Sequence, residues 1–171
     1  MQKILSYIRK AVEDYNMIEE GDKIGVALSG GKDSISLLMG MKALQRFYPK
    51  NFELVAISVN PGFDFFDKEF LQKICKDLEI PLFIENTNIK EIVFDVRQEK
   101  NPCSLCANFR RGALNSVAIR EGCNKIALGH NEDDVLETFL LNLFYGGNIN
   151  TFAPVSYMDR SQITLIRPLI Y

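Results

Sequence analysis

Short apolar runs alternate with amphipathic segments along most of this chain, and that order limits the folds open to it. Apolar residues spaced at i, i+3 and i+4 predict helices, and the short runs between them predict buried strands. Alternating strands and helices form parallel sheets covered on both faces, so we expect an α/β fold with a five-stranded parallel sheet. The predicted helices are residues 2–18, 35–47, 67–78, 104–121 and 132–145, and the predicted strands are 23–28, 54–59, 81–85 and 125–129.

Two parts of the chain predict less regular structure. Residues 155–158 and 163–166 flank the polar stretch 159–162, which indicates either a hairpin or a loop followed by the fifth strand. Residues 89–100 have no clear period, and we expect a mobile connection with some helix there.

The loop between the first strand and the second helix has the sequence LSGGKDS, residues 28–34. Glycines let a backbone approach a ligand closely, and a helix N-terminus offers free N–H groups and partial positive charge. The loop therefore predicts a phosphate site, although a tight turn is the simpler alternative. Its spacing differs from the G-x-x-x-x-G-K-S/T loop and resembles the pyrophosphate loop of the ATP pyrophosphatases. The candidate phosphate ligands are Ser29, Gly30, Gly31, Lys32, Asp33 and Ser34.

The sequence GHNEDD, residues 129–134, follows the fourth strand and begins a helix. Mg²⁺ in nucleotide sites takes one or two carboxylates together with phosphate oxygens. Asp133, and less firmly Asp134, is therefore a candidate magnesium ligand, and Gly129 and His130 would border the nucleotide. Acidic residues in a first helical turn also fit a plain capping role, so both interpretations stay open.

A pair of cysteines, Cys103 and Cys106, stands at i and i+3 near the start of a predicted helix. Such a pair can supply half of a zinc site, anchor an iron–sulfur cluster or form a redox disulfide. Arg110 and Arg111 follow on the same helix and are candidate phosphate or RNA contacts, with a solvated helix face as the alternative. The other two cysteines, Cys75 and Cys123, have apolar neighbours and are expected to be small core residues.

Charge and hydropathy exclude few classes of function. The formal net charge is −2 and the sequence pI is about 5.5, so the whole chain does not have the charge of a typical nucleic-acid binder. A local patch of basic residues can still bind RNA when the whole chain is acidic. The basic residues gather at Arg97, Lys100, Arg110 and Arg111. No apolar run approaches the roughly 20 residues that span a bilayer, so no membrane partner and a cytoplasmic location are expected.

The three motifs occur together and in order, and FYGG (residues 144–147) and RPL (residues 167–169) follow them. This combination resembles the tRNA 2-thiocytidine synthetases, a branch of the PP-loop ATP pyrophosphatases, over almost the whole chain. The resemblance implies a Rossmann-like fold of the adenine nucleotide alpha hydrolase type, in a single PP-loop ATP-binding domain over residues 1–171. It also implies that Leu28 and Ile57 line the adenine pocket.

The activity implied by this resemblance is ATP-dependent tRNA thiolation. ATP adenylates the C2 oxygen of a cytosine in the tRNA anticodon loop, pyrophosphate leaves, and sulfur then displaces AMP. The implied cofactors are Mg²⁺ and a 4Fe-4S cluster held by Cys103, Cys106 and a third cysteine from a later segment. The implied partners are tRNA and a sulfur donor such as a cysteine desulfurase. The sequence ends at Tyr171, ahead of that third cysteine, so we expect a chain truncated relative to the family or a short variant.

Other interpretations remain open at this point. A thiouridine or lysidine synthetase shares the loop, but lysidine synthesis needs no thiol. A nucleotide-binding module without catalysis would bind ATP and release no pyrophosphate, and a zinc site at the cysteine pair would leave the protein colourless. The sequence does not distinguish a monomer from a homodimer.

Overall fold

The computed structural model of the protein describes residues 2–63, 66–96 and 102–171. Arg97 and Lys100, named above among the basic residues, lie outside the described residues. The α-helices are α1 (Gln2–Asp14), α2 (Lys32–Gln45), α3 (Lys68–Asp77), α4 (Pro102–Arg120) and α5 (Glu132–Leu141). The strands are β1 (Asp22–Ala27), β2 (Phe52–Asn60), β3 (Leu82–Asn86), β4 (Lys125–Ala127), β5 (Val155–Met158) and β6 (Ile163–Ile166).

One six-stranded sheet joins all of these strands in the order β3-β2-β1-β4-β6-β5. Every neighbouring pair is parallel except β5 and β6, which are antiparallel. The α/β prediction is confirmed, but the predicted count of five strands is short by one. The tail forms a hairpin, and both of its strands pair within the sheet because β6 is parallel to β4 on one side and antiparallel to β5 on the other.

The order of the strands creates a crevice at one edge of the sheet. The chain leaves β1 toward β2 and β3, and it later returns on the other side of β1 as β4. The connections after β1 and β4 therefore diverge, and ligands of open α/β sheets bind outside the carboxyl ends of strands at such a point. The LSGGKDS loop follows β1 and the GHNEDD segment follows β4, so the fold brings the two motifs together.

The core has two parts, one on each face of the sheet. The larger part joins buried residues of α1, α2 and α3 to the sheet, and the smaller part joins Val117 and Ala118 of α4 to Val55, Ile57 and Ile126. Cys75 and Cys123 are 2% and 6% exposed, which confirms them as core residues. Burial raises the pKa of the Cys75 thiol to about 11 and also raises the pKa of Cys123.

A buried ion pair joins the amino ends of β1 and β4. Lys125 Nζ lies 2.8 Å from a carboxylate oxygen of Asp22 and donates to the Met17 carbonyl at 3.1 Å. The Asp22 carboxylate also accepts from Asn124 Nδ2 at 2.7 Å. A buried charge needs such partners, so this network fixes the relative position of the two strands that carry the motifs.

Two π-helical segments extend the regular structure. Glu91–Val96 forms the first, within the stretch predicted as a connection with some helix, and Asn142–Gly146 continues α5. Gly147 then ends this second segment with φ of 62°, in the left-handed region. No helix in the described part of the chain is long and apolar enough to cross a membrane.

The packing of α1 against α2 requires a glycine. An added Cβ at Gly40 would lie 2.2 Å from Cδ1 of the fully buried Ile8, whereas at Gly112, in α4, it would meet nothing within 4 Å. We expect Gly40→Ala to lower the free energy of unfolding by about 1–3 kcal/mol through overpacking. Gly112→Ala should raise it by about 0.5–1 kcal/mol, because the helix gains a better former without a clash. Urea unfolding measures both, and equal effects would contradict the close contact.

Candidate active site

Two serines of the loop after β1 fix its backbone conformation through hydrogen bonds. Ser34 Oγ donates to the Gly31 carbonyl at 2.9 Å and accepts from the Ser29 backbone N–H at 3.2 Å. Ser29 Oγ accepts from the Gly31 backbone N–H at 3.3 Å and lies 3.1 Å from Ser34 Oγ. Ser34 is buried, so its hydroxyl positions the loop, and its direct contact with phosphate stays a prediction.

The loop ends at an open helix terminus. Gly31 is the N-cap residue of α2; its own N–H donates to Ser29 Oγ, and among the described residues no side chain caps the N–H groups of the first turn that follows. Its first N–H groups are therefore available to an anion, which the helix dipole favours by about 0.3–1 kcal/mol per charge at an exposed site. Lys32 and Ser29 are exposed beside this terminus and Asp33 is partly buried. The geometry fits a phosphate site.

Two glycines permit the backbone conformation of the loop and its close packing against the segment after β4. Gly30 has φ of 88°, in the left-handed region that side chains disfavour. Gly129 follows β4, and an added Cβ there would lie 3.2 Å from Ser34 N and 3.3 Å from the carbonyl carbon of Asp33. The segment after β4 therefore presses against the first turn of α2. This contact brings the two motifs within touching distance.

The GHNEDD segment begins α5 with a capping box. Asn131 Oδ1 accepts from the backbone N–H groups of Asp133 and Asp134, and Asp134 Oδ2 accepts from the Asn131 N–H at 2.9 Å. The capping interpretation thus applies to Asp134. The Asp133 carboxylate is exposed and accepts no hydrogen bond from the described residues. Of the two predicted magnesium ligands, Asp133 is therefore the one whose carboxylate is free to hold a cation, and the neighbouring Glu132 is exposed as well.

A cavity of about 470 Å³ opens at the carboxyl ends of β1, β2, β4 and β6, beneath α4. Ligand sites commonly have volumes of roughly 300–1,000 Å³. Leu28 and Ile57, predicted to line an adenine pocket, lie on its wall together with Ser29 and His130. The cavity is therefore large enough for a nucleotide and begins at the phosphate loop.

The helix α4 lines this cavity with its two arginines, and the cysteine pair lies on the turns of the helix before them. Ala107, Arg110, Arg111 and Leu114 of α4 line it. Cys103 is four residues before Ala107, and Cys106 is four residues before Arg110, so each cysteine lies one turn before a residue that lines the cavity. Cys103 is exposed and Cys106 is partly exposed, and both are free thiols. No group of three or more metal-binding side chains occurs among the described residues, so the pair offers two ligands there.

Two polar side chains of the cavity were not predicted as site residues, Asn115 of α4 and Arg167 directly after β6, although Arg167 begins the RPL motif that supported the family resemblance. Arg167 is 7% exposed, and its guanidinium carbon lies 4.8 Å from the centroid of the Phe152 ring. Arg167 Nη1 donates to the Ala153 carbonyl and, at 3.2 Å, to Ser156 Oγ. Burial lowers the pKa of Arg167 from its ordinary value, and no carboxylate pairs with it among the described residues. The available signal was a charged residue at the carboxyl end of an apolar strand.

His130 also lines the cavity and packs against Phe152. Its ring centroid lies 5.0 Å from that of Phe152, and its Nδ1 is buried without a hydrogen-bond partner among the described residues. Burial and then the positive charge of Arg167 lower the pKa of His130, while Asp134 opposes them. The imidazole is therefore uncharged at neutral pH and offers a hydrogen bond without a charge.

Comparison with known families agrees with this arrangement. The model of the PP-loop domain matches residues 2–171. The chain belongs to the PP-loop family. It is 42% identical over 171 residues to the tRNA-cytidine(32) 2-sulfurtransferase of Syntrophotalea carbinolica, covering 99% of this chain and 66% of that relative. It is 39% identical over 170 residues to the enzyme of the same name from Geotalea uraniireducens, covering 99% of this chain and 68% of that relative.

Solved structures place this PP-loop chain among the same folds. The U34-tRNA thiolase NcsA from Methanococcus maripaludis, solved with its 4Fe-4S cluster, superposes with a TM-score of 0.77 at 30% identity. That match covers 98% of this chain and 58% of NcsA. An NH3-dependent NAD synthetase from Campylobacter jejuni superposes with a TM-score of 0.54 at 18% identity. That match covers 99% of this chain and 67% of the synthetase, and it shows a shared fold alone. The predicted family and its Rossmann-like fold are confirmed.

The PP-loop chain spans about two thirds of the length of its first curated relatives, or 66% of the one from Syntrophotalea carbinolica. Within that span, the structure gathers nearly all predicted site residues at one edge of the sheet. The loop residues and Gly129 lie at the start of α2, while Leu28, Ile57 and His130 line the cavity. Asp133 lies exposed in the first turn of α5, and the cysteines lie on the first turns of α4.

Proposed function

We propose that this protein is an ATP-dependent tRNA sulfurtransferase that converts a cytidine to 2-thiocytidine. One observation carries the proposal: the phosphate loop and the cysteine-bearing helix border the same cavity. An enzyme that only adenylates its substrate has no use for thiols at that place. Supporting this, the curated relatives are named tRNA-cytidine(32) 2-sulfurtransferases, and NcsA is named a tRNA thiolase.

The residues of the loop bind and orient ATP in this proposal. The α2 N-terminus and the loop backbone hold the phosphates, with Lys32 as a mobile positive charge, and Leu28 and Ile57 contact the adenine. The C2 oxygen of cytosine attacks the α-phosphorus, and the bond to pyrophosphate breaks with its electron pair. Fixed N–H donors and cations stabilise the charge that develops on pyrophosphate. A poor leaving oxygen thereby becomes a good one.

Asp133 holds Mg²⁺ against the phosphates in this proposal. Mg²⁺ keeps several waters and usually takes only one or two carboxylates, so one free carboxylate beside the loop is enough. The carboxylate of Asp134 already accepts the Asn131 N–H and serves the fold of the segment. In this proposal Asp134 does not bind the metal directly. It holds the segment that carries Asp133 in place and adds a negative charge near the magnesium site.

Cys103 and Cys106 are the proposed ligands of a 4Fe-4S cluster. Free, accessible thiols at i and i+3 fit two iron corners of such a cluster. The bound cluster would supply an iron that can carry sulfur. Within this chain, the two cysteines would hold it on the first turns of α4, ahead of the residues of that helix that line the cavity. The zinc alternative would use the same thiols and is an outcome of the iron measurement below.

The partners follow from this chemistry. tRNA supplies the cytidine through its anticodon loop, and a cysteine desulfurase or another donor supplies sulfur. In this proposal the reaction takes place in the cytoplasm, and residues 1–171 form a single PP-loop domain.

We also propose a homodimer, because large apolar side chains are exposed together on α5 and the segment after it. These are Leu136, Leu140, Leu141, Leu143, Phe144, Tyr145 and Ile149. Sedimentation analysis of the purified protein distinguishes a dimer from a monomer.

The proposed adenylation is tested by pyrophosphate release. The full-length protein with MgATP should release pyrophosphate when a tRNA transcript carries cytidine at position 32, the position named for the relatives. A transcript with guanosine at that position is the matched control and should support only background release. Equal release with both transcripts, or none with either, would contradict the proposal.

A further inference from the structure

A smaller cavity of about 200 Å³ lies beside the phosphate loop, next to the cavity proposed for ATP. Ser29 and Gly30 of the loop form one wall, and the segment after β2 together with the start of α3 forms another. An added Cβ at Gly30 would lie 3.6 Å from Leu71 Cδ2, so the loop and α3 are in contact there. The volume is below the roughly 300–1,000 Å³ of sites for drug-sized ligands, so it suits one small ring.

Aromatic side chains line this smaller cavity. They are Phe63, Phe66 and Phe70, and the Phe70 side chain is 44% exposed. The rings of Phe63 and Phe94 pack edge to face with their centroids 5.9 Å apart, and Phe66 packs against the larger part of the core. Two of the three rings are thus fixed and the third is accessible. Such rings form a surface on which an unpaired nucleic-acid base can stack.

The smaller cavity adjoins the proposed ATP site. Ser29, Val59 and Arg110 line both cavities, so the phosphate loop lies at the boundary between them. Leu28 and Ile57, the proposed adenine contacts, line the larger cavity. An ATP with its adenine there has its phosphates at the edge of the smaller cavity. The second substrate must bring its attacking oxygen to those phosphates, and the smaller cavity gives it a place to bind.

The charged side chains of the smaller cavity also suit a nucleotide. Arg110 is exposed, and a guanidinium beside aromatic rings binds the backbone or the face of unpaired nucleotides. Asp67, the acidic residue in the wall, is the N-cap of α3, where its Oδ1 accepts from the Phe70 N–H at 2.9 Å. The cavity therefore offers aromatic faces next to a cation.

We propose that the smaller cavity receives the acceptor base of the tRNA, turned out of its loop and stacked on Phe66 and Phe70. This inference rests on the proposed function and adds the place where the base binds. Enzymes that act on a base take it out of the stack in this way, and an unpaired base costs least to move. Arg110 follows Cys106 by one turn of α4, so the helix that carries the cysteines borders the same cavity.

Kinetics of pyrophosphate release test this site, with kcat/KM for tRNA as the measured value. We expect Phe70→Ala to lower it about 10-fold or more, the loss that follows when one stacked aromatic ring is removed. Phe70→Trp keeps an aromatic face and should stay near the unaltered value. Phe47→Ala removes a phenylalanine of comparable exposure beyond the C-terminal end of α2 and should change nothing. The affinity for α,β-methylene-ATP should be the same in all of these variants.

Photo-cross-linking locates the base directly. A tRNA transcript with 5-iodocytidine at position 32, the position named for the relatives, is irradiated in complex with the protein, and the linked peptide is identified by mass spectrometry. We expect the link at Phe66 or Phe70.

Three results would overturn the inference: a link elsewhere or none, an unchanged kcat/KM for Phe70→Ala, or an equal loss of nucleotide affinity in that variant. Pyrophosphate release by the unaltered protein would still support the proposed function in each case. No release from the unaltered protein with cytidine-32 tRNA would overturn both.

Discussion

We expect Cys103→Ala to abolish thiolation and to leave ATP binding intact. Cys103 is an exposed free thiol on the first turn of α4, four residues before Ala107, which lines the cavity. Loss of a cluster ligand should exceed the roughly 10–100-fold cost of losing a second-sphere partner, so thiolation should fall by more than about 100-fold. The affinity for α,β-methylene-ATP should stay the same, because the phosphate loop lies on a different segment.

The matched control is Cys123→Ala. Cys123 is 6% exposed beneath α4, and burial raises the pKa of its thiol, so it is a core residue without a ligand's reactivity. In a form extended by the later segment that supplies the third cysteine, the control should keep about four irons and a broad visible band after anaerobic purification. Cys103→Ala should lose both. Normal thiolation by Cys103→Ala would remove the cysteine pair from the sulfur chemistry, and a zinc-bound, colourless protein would exclude the cluster.

Asp133→Asn should stop nearly all pyrophosphate release. The Asp133 carboxylate is exposed at the first turn of α5, and it is free of the capping box that occupies Asp134. Without it, Mg²⁺ loses its protein ligand, and charge on the leaving pyrophosphate is no longer neutralised. We expect a fall in kcat of about 10²–10³-fold, the range seen when a positioned electrostatic group is removed. Initial rates at saturating ATP measure it.

Glu132→Gln is the control for Asp133→Asn. Both changes remove one negative charge from the first turn of α5, so both lose the same small interaction with the helix dipole. Only Asp133→Asn should require more Mg²⁺ to reach half of its own maximal rate. Equal losses in the two variants would show that the charge stabilises the helix and does not bind the metal.

The sequence predicts the part of this fold that local chemistry controls. The apolar periods indicate most helices and strands, and the loop and the capping segment are predicted because their glycines and acids follow strands directly. The predicted count is one strand short because the sequence left open whether residues 155–158 form a strand or a loop, and β5 is an edge strand that pairs with β6 alone. Whether the tail joins the sheet depends on the distant partner β4.

The site is predictable where its residues form motifs and unpredictable where they meet only in three dimensions. Asn115 lies within a helix and Arg167 follows the last strand of the terminal hairpin, and nothing local relates them. Their shared cavity follows from α4 packing on β2 and β3 while β6 joins the same sheet beside β4. Similarly, Asp133 and Asp134 are both candidate magnesium ligands in the sequence, and the hydrogen bond from Asn131 to Asp134 separates their roles.

The most direct test of the central claim is nucleoside analysis of tRNA after reaction. Unmodified tRNA is incubated with the anaerobically prepared full-length protein, MgATP and sulfide, then digested and analysed by mass spectrometry. We expect 2-thiocytidine that requires ATP and is absent with Cys103→Ala. Pyrophosphate release without any thionucleoside, or a thionucleoside formed on uridine instead of cytidine, would contradict cytidine thiolation by this protein.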